Sequence, residues 1–373
     1  MTTRKIAKDY EPKENNRPTF ILKTREGENR AVSPSQKNGG KKDHPENHPQ
    51  GVVQNKAPEP RPLTMCQEMN NCIKFMDENL QLCDNPVDYL YDQQDFLVVG
   101  IVGGQGVGKS TILSLLTSNY AKNIFPVHGL SHHETGTHCT NGVDFYVTKN
   151  RVIYLDTQPI LSCSVFDATT ASFEQKKSPT DFTNSESHNL EIQSLEFTAF
   201  LYSVCHIIIF VQDWFVDPNL VRFLQTAEML KPSSTTNLDQ DYVEYYPHML
   251  FLHNKAELSD FMPNTLETMK EFYSKVFATS KLQTHSGLDM SVTSKDGQLN
   301  LFLIPFITNK DEPTIHENEK ELIEKLRRKI HGITRNPMTP AILTEKNWYH
   351  YVSKVLEAIK KSHLSLEYGR LMP

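Results

Sequence analysis

The chain has 373 residues, 38% hydrophobic, 23% charged and 9% aromatic, which is enough apolar material for one large domain or two smaller ones. Lys and Arg number 39 against 45 Asp and Glu, a formal net charge of −6, so no global positive field favours DNA or RNA and direct nucleic-acid binding is not expected. The opening residues, Met1 to Pro12, lack the apolar centre of a signal peptide, and no stretch reaches the roughly 18 uninterrupted apolar residues of a membrane span. Six cysteines without a C-x-x-C pair make no disulfide scaffold. Together these features predict a cytoplasmic protein of a reducing compartment with no membrane partner.

Residues 1–60 are rich in Lys, Glu, Asn, Gln, Pro and Gly, with twelve Lys or Arg against eight Asp or Glu. Such a segment buries too little to offset its ordering entropy and is expected to be a disordered, mildly basic tail. Ser33-Pro34 is its one Ser-Pro pair and a weak phosphorylation signal. The expected folded unit runs over 61–370, with helical extensions at both ends. Met65, Met69, Cys72, Ile73, Met76 and Leu80 recur at helical spacing before Asn85-Pro86, which predicts an amphipathic helix from Leu63.

Phe96 to Val102 is a nearly unbroken apolar run, as a strand buried on both faces requires. Similar runs stand at Val152 to Leu155, His206 to Val211, Met249 to Leu252 and Leu301 to Ile304. Helical patterns lie between and after them, at Leu190 to Val204, Asn219 to Leu230, Asn264 to Phe277, Glu317 to Ile330 and Glu345 to Leu366. The alternation predicts an α/β fold with a mostly parallel sheet covered by helices on both faces. Gly142 to Thr148 and Arg151 to Asp156 meet across Lys149-Asn150, which predicts one antiparallel edge hairpin. Polar loops at 167–187, 231–244 and 283–298 are long enough to carry partners.

The strongest chemical signal is Gly103-Gly104-Gln105-Gly106-Val107-Gly108-Lys109-Ser110, a G-x-x-x-x-G-K-[ST] string between the buried strand and a helix. That context defines a P-loop: glycines let backbone N–H groups face the phosphates, the helix N-terminus adds its positive end, Lys109 reaches the β- and γ-phosphates, and Ser110 holds magnesium. Thr111 follows as a further candidate contact. Asp156, at the tip of Val152 to Leu155, is placed to hold the same magnesium through water. Thr135, Thr137 and Thr140 lie in the Gly129 to Thr140 loop where a first switch would supply a metal-binding hydroxyl. The spacing does not choose among them, and Thr137 is placed with Ser110 and Asp156 as the metal set. Asn254-Lys255-Ala256-Glu257 resembles the N-K-x-D that grips guanine, yet Glu257 is one methylene longer than the Asp that reads the base. The expected cofactor is therefore a guanine or an adenine nucleotide, GDP/GTP or ATP, with magnesium.

No catalytic residue is predicted. Where GTP-binding proteins carry D-x-x-G, the string is Asp156-Thr157-Gln158-Pro159, and proline has no N–H for a γ-phosphate. Ile160 fills the position of the water-orienting glutamine, and Gln158 comes two residues early, so little hydrolysis is expected. His128, His132, His133, His138 and Cys139 share one loop, but no zinc-ligand spacing accompanies them. Trp214-Phe215 and the Trp348, Val352, Val355, Ile359 face are candidate partner surfaces, the latter better read as core.

The motif order resembles a Ras-type G domain with degenerate motifs. Leu155 to Ser162 (LDTQPILS), Val211 to Phe215 (VQDWF), Phe223 to Met229 (FLQTAEM) and Ile342 to Trp348 (ILTEKNW) further resemble one family, the G-domain-like accessory subunit of the nonsense-mediated mRNA decay kinase complex. The resemblance covers roughly residues 63–370. It implies a regulatory scaffold that forms a heterodimer with a second, larger G-domain-like subunit and binds a phosphatidylinositol-3-kinase-like protein kinase. Two rival readings are a working GTPase or ATPase stimulated by a partner, and a P-loop small-molecule kinase. The latter would need an Arg-rich lid, and Arg327-Arg328, the one adjacent Arg pair, reads as an exposed helix face.

Overall fold

The structure is a computed structural model. It describes residues 68–117, 123–127, 129–165, 167, 190–232, 244–291, 297–306, 318–362 and 367. The tail at 1–60, Ser33-Pro34, His128 and the central parts of the polar loops expected at 167–187, 231–244 and 283–298 lie outside those residues.

Seven strands form one sheet in the order β1-β3-β4-β2-β5-β6-β7. They are β1 (Ile73–Met76), β2 (Leu97–Gly103), β3 (Val143–Val147), β4 (Val152–Thr157), β5 (Ile207–Gln212), β6 (His248–Ala256) and β7 (Leu301–Pro305). β4, β2, β5, β6 and β7 run parallel to one another, in the register Val99 to Tyr154 and Ile101 to Ile209 at the centre. Every residue of β2, β4 and β5 is buried, which is why these strands read as continuous apolar runs rather than alternating ones. β3 and β4 form the antiparallel hairpin, turning at Lys149-Asn150 with Arg151 at a left-handed φ of 58°.

Outside β3 lies β1, paired antiparallel with Ile73 opposite Phe145 and Lys74 opposite Asp144. The amphipathic helix expected from Leu63 to Leu80 is therefore not formed over this segment. A register shift between Lys74 and Met76 breaks the strict alternation of the strand, so Phe75 and Met76 are consecutive and both fully buried. Adjacent apolar positions in a bulged strand imitate the i, i+3, i+4 spacing of a helix. What decides the outcome is the open backbone edge of β3, whose N–H and C=O groups find partners in β1.

The helices are α1 (Lys109–Leu116), α2 (Leu130–Thr135), α3 (Leu190–Val204), α4 (Pro218–Leu230), α5 (Pro263–Val276), α6 (Glu319–His331) and α7 (Glu345–Lys360). They fall into groups: α6 packs on α1 and β7, while α4 and α7 both pack on α3. α2 is a short element inside the loop read as a first switch. Trp348, Val352, Val355 and Ile359 of α7 are all buried, so that face is core. Trp348 stacks on Phe75 at 5.7 Å and donates its indole N–H to Val204 O at 2.8 Å. Arg327 is not an exposed face residue. Its guanidinium donates to the carbonyls of Leu115, Leu116 and Thr117 at 2.7 to 2.9 Å, closing the C-terminal end of α1 with a positive charge where the helix dipole favours one. Arg328, its neighbour, is exposed. No helix among the described residues is long and apolar enough to cross a membrane.

Candidate functional site

β2 delivers the chain to the sheet's C-terminal edge, and Gly103 to Gly108 turn it into the N-terminus of α1. Gly108 sits at φ +94°, and a Cβ there would run into Asn254 Nδ2. Gly103 is equally constrained, because a Cβ would collide with Val211 O of the neighbouring strand. Glycine is thus required at both ends of the loop for close approach, independently of any ligand. Lys109 folds back across the loop, its ammonium donating to Gly103 O at 3.1 Å and Gly104 O at 2.9 Å. Burial lowers its pKa to about 8, opposed by the charge of Asp156.

Asp156 is fully buried at the tip of β4. Its Oδ2 accepts from Ser110 Oγ at 2.7 Å and Thr140 Oγ1 at 3.0 Å, and its buried Oδ1 has no partner. Burial raises its pKa to about 6, and the two hydroxyls and Lys109 pull the other way. A buried carboxylate with an unpaired oxygen beside two hydroxyls is an oxygen donor set of the kind that magnesium takes. The residues present therefore fit the ion. The threonine in this group is Thr140 and not Thr137, whose hydroxyl instead lies 2.8 Å from that of Thr135. Spacing within a loop fixes no side-chain direction. Thr140 is placed here because it enters β3, whose register sets Asp144 opposite Asp156.

From β6, Asn254 Nδ2 donates to Val107 O at 2.8 Å. Lys255, at a left-handed φ of 58°, donates to Gly106 O and to Asp213 Oδ2, both at 3.0 Å. The two residues tie the end of β6 to the P-loop across the sheet. Gln105, Gly106, Gly108 to Thr111, Asn254 and Lys255 all border one cavity of about 430 Å³, closed on other sides by His138 to Thr140, Pro159 and Ile304 to Phe306. Gly103, Gly104 and Val107 stand behind it, their carbonyls engaged by the lysine and Asn254. Glu257 is exposed and is not among the cavity's walls. Its backbone N–H instead donates to Asp260 Oδ2 at 2.8 Å ahead of a short 3-10 turn, Leu258–Phe261.

Gln158 and Ile160 are not among the cavity's walls. Gln158 is buried, and its Oε1 accepts from Gly142 N at 2.8 Å. Ile160 is buried in the core, with its N–H given to Gly103 O at 3.2 Å. No group of His, Cys, Asp and Glu residues among the described residues has a metal-binding arrangement of its own.

Comparison with known proteins decides the family. A nonsense-mediated mRNA decay factor SMG9 from Salmo salar is 38% identical over 346 residues, which cover 82% of this chain and 68% of that one. The chain belongs to the SMG9 family of nonsense-mediated mRNA decay factors. SMG9 of Xenopus tropicalis is likewise 38% identical over 347 residues, and that of Caenorhabditis elegans 25% identical over 321 residues, covering 82% of this chain and 79% of its own. The family model described as Smg8_Smg9 matches residues 91–258, from the entry to β2 through the Asn254-Lys255 pair. Among solved structures, bacterial selenocysteine-specific elongation factor EF-Sec matches with a TM-score of 0.33 at 9% identity, covering 63% of this chain and 28% of that one. This SMG9-family chain carries its P-loop on a mostly parallel seven-stranded α/β sheet, with β1 added outside the hairpin.

Sequence reasoning missed one feature of this site: the side chain of Gln105 reaches both loops that flank the P-loop. The signal was a long polar side chain in a loop whose other non-glycine residue is the apolar Val107.

Proposed function

We propose that this SMG9-family chain is a nucleotide-binding, catalytically poor regulatory scaffold of nonsense-mediated decay. It pairs with a second, larger G-domain-like subunit and, together with it, binds a phosphatidylinositol-3-kinase-like protein kinase in the cytoplasm. The observation that carries the nucleotide part is convergence. Lys109, Ser110, Thr140 and the Asn254-Lys255 pair border one cavity, and Asp156 at the tip of β4 holds the Ser110 and Thr140 hydroxyls from behind it. Lys109, Ser110 and the backbone N–H groups of the α1 N-terminus would hold the phosphates, and Ser110, Thr140 and Asp156 would hold magnesium. Bound there, magnesium would neutralise phosphate charge. The chain's own residues orient the phosphates and bury Asp156 away from water.

The scaffold part is supported by what faces away. Gln158 is bonded to Gly142, Ile160 is in the core and Pro159 has no N–H, so the positions that hold or orient the γ-phosphate and water in GTP-binding proteins are otherwise engaged. The base is left open, guanine or adenine, because Glu257 lies outside the cavity walls. The heterodimer reading draws on the family description, which joins two named proteins. Nucleotide at a hundred times its dissociation constant would stabilise the fold by about 2.7 kcal/mol. The test is Lys109→Ala in two readouts: the melting temperature with added GDP or ATP and magnesium, and recovery of a large kinase and a second G-domain-like subunit by co-purification. Loss of the nucleotide-dependent rise with weakened recovery is expected. An unchanged rise and unchanged recovery would overturn the proposal, and partner-stimulated turnover that Lys109→Ala abolishes would favour an active hydrolase instead.

A further inference from the structure

We propose that Gln105 is a clamp, built into the polypeptide, that holds the first switch loop and the loop after β4 together across the mouth of the phosphate site, so that both loops keep one arrangement whether the bound nucleotide ends in a β- or a γ-phosphate. The ligand half of this inference rests on the nucleotide-site reading above; the clamp itself does not.

The Gln105 carboxamide is fully used. Its Nε2 donates to Gly136 O at 3.0 Å and to Thr137 O at 3.2 Å, both in the first loop. Its Oε1 accepts from Ser162 Oγ at 2.7 Å and from Ser164 Oγ at 2.9 Å, both in the second. Two N–H groups and two lone pairs are all that an amide side chain offers, and here one pair goes to each loop. The link is reinforced beyond Gln105: with its proton given to Gln105, Ser164 Oγ lies 2.9 Å from His138 Nδ1, back in the first loop.

In nucleotide switches two such loops are ordered by the γ-phosphate and its metal and released on hydrolysis. That mechanism needs a backbone N–H from the second loop on the phosphate. Here Pro159 has none, and the N–H of Ile160 is already given to Gly103 O at 3.2 Å. The second loop therefore lacks the contact by which a γ-phosphate would draw it in, while Gln105, from the P-loop itself, provides a tie that does not leave with the phosphate. A ligand group that contacts two states equally shifts nothing between them, however tightly it binds. A γ-phosphate would find no free N–H at 159 or 160 with which to draw the second loop in, so a bound nucleotide would act as a structural ligand and not as a timer.

The experiment is amide hydrogen exchange on the full chain, read in peptides covering 134–142 and 160–165, for wild type, Gln105→Ala and Gln105→Glu. Each is measured without nucleotide, with GDP and with a non-hydrolysable GTP analogue, then with ADP and the ATP analogue. Wild type is expected to protect both loops equally, within about twofold, in di- and triphosphate complexes. Gln105→Ala should raise exchange at least tenfold in both loops, including in the nucleotide-free chain. Gln105→Glu keeps the acceptors for Ser162 and Ser164 but loses the donors to Gly136 and Thr137, so it should loosen the first loop more than the second. Triphosphate-specific protection of wild type, or loops indifferent to Gln105→Ala, would overturn the clamp. If no nucleotide binds, the nucleotide-site reading falls, and the nucleotide-free comparison of wild type with Gln105→Ala still decides the clamp.

Discussion

Arg151 and Glu345, 194 residues apart in sequence, form a buried ion pair that fastens α7 to the β3–β4 turn. Arg151 Nε donates to Glu345 Oε1 at 2.6 Å, and its Nη2 donates to the other carboxylate oxygen and to Tyr89 O. Glu345 also accepts the backbone N–H of Tyr91 at 2.8 Å and is fully buried. Glu345→Ala strands a buried guanidinium and is expected to cost about 3–5 kcal/mol, read as a drop in the urea midpoint. Replacing both partners, with Arg151→Met and Glu345→Leu together, should recover most of that loss. Equal destabilisation by the single and double variants would contradict the pairing account.

Asp156 sets a pH dependence whose sign can be worked out. Its pKa is raised in the folded chain to about 6 from 3.8, so between those values the folded state holds a proton that the unfolded state has lost. Stability then falls as pH rises through that window, by an amount on the order of 1–3 kcal/mol. Asp156→Asn removes the burden. Without nucleotide it should melt higher than wild type at pH 7.5, with the advantage shrinking as pH falls from 6 towards 4. The same variant should lose any magnesium-dependent increment in nucleotide binding. A variant that melts lower than wild type at pH 7.5 would show the carboxylate to be stabilising.

The two tryptophans report on opposite environments. Trp214 is 78% exposed and Trp348 is fully buried, so in Trp214→Phe the emission comes from the core alone. In that background Phe75→Ala, which removes the ring stacked on Phe145 and Trp348, should cost about 3–5 kcal/mol. The Trp348 emission should shift to the red before global unfolding if β1 detaches. A stability change below about 1 kcal/mol would mean that β1 is not part of the cooperative core.

Pro159→Gly restores the N–H that the β4 exit loop lacks. One hydrogen bond to a charged acceptor contributes about 1.5–3 kcal/mol, so the variant should prefer triphosphate over diphosphate by about tenfold or more, measured by titration calorimetry. Wild type should show a far smaller preference. Hydrolysis should stay near background in both, since Ile160 remains in the core.

Much of this was legible in the amino-acid string because its chemistry is local. The P-loop needs glycine where a Cβ would meet Asn254 or Val211, and the buried parallel strands need unbroken apolar runs. Both signatures survive without tertiary knowledge. What escaped depended on contacts distant in sequence. β1 was misread as a helix because its bulge puts Phe75 and Met76 side by side. Arg327 was misread as surface because its partners, the last carbonyls of α1, lie over 200 positions away. The choice of Thr140 over Thr137 depends on strand register, and the double reach of Gln105 on how two loops fold over a third. In Trp214-Phe215 the pattern could not say that one ring would point out while the next packed among His253, Phe272 and Tyr273.

The outermost position of β1 also governs how the sheet can meet other chains. A hairpin ending the sheet would offer the free backbone groups of β3 to any extended peptide, inviting both strand addition by a partner and edge-to-edge self-association. A four-residue strand from upstream of the P-loop occupies that edge instead. It is short and irregular, and it sets Lys74 against Asp144, the features that make an edge a poor template. Such an edge disfavours the backbone ladder that any extended chain could join.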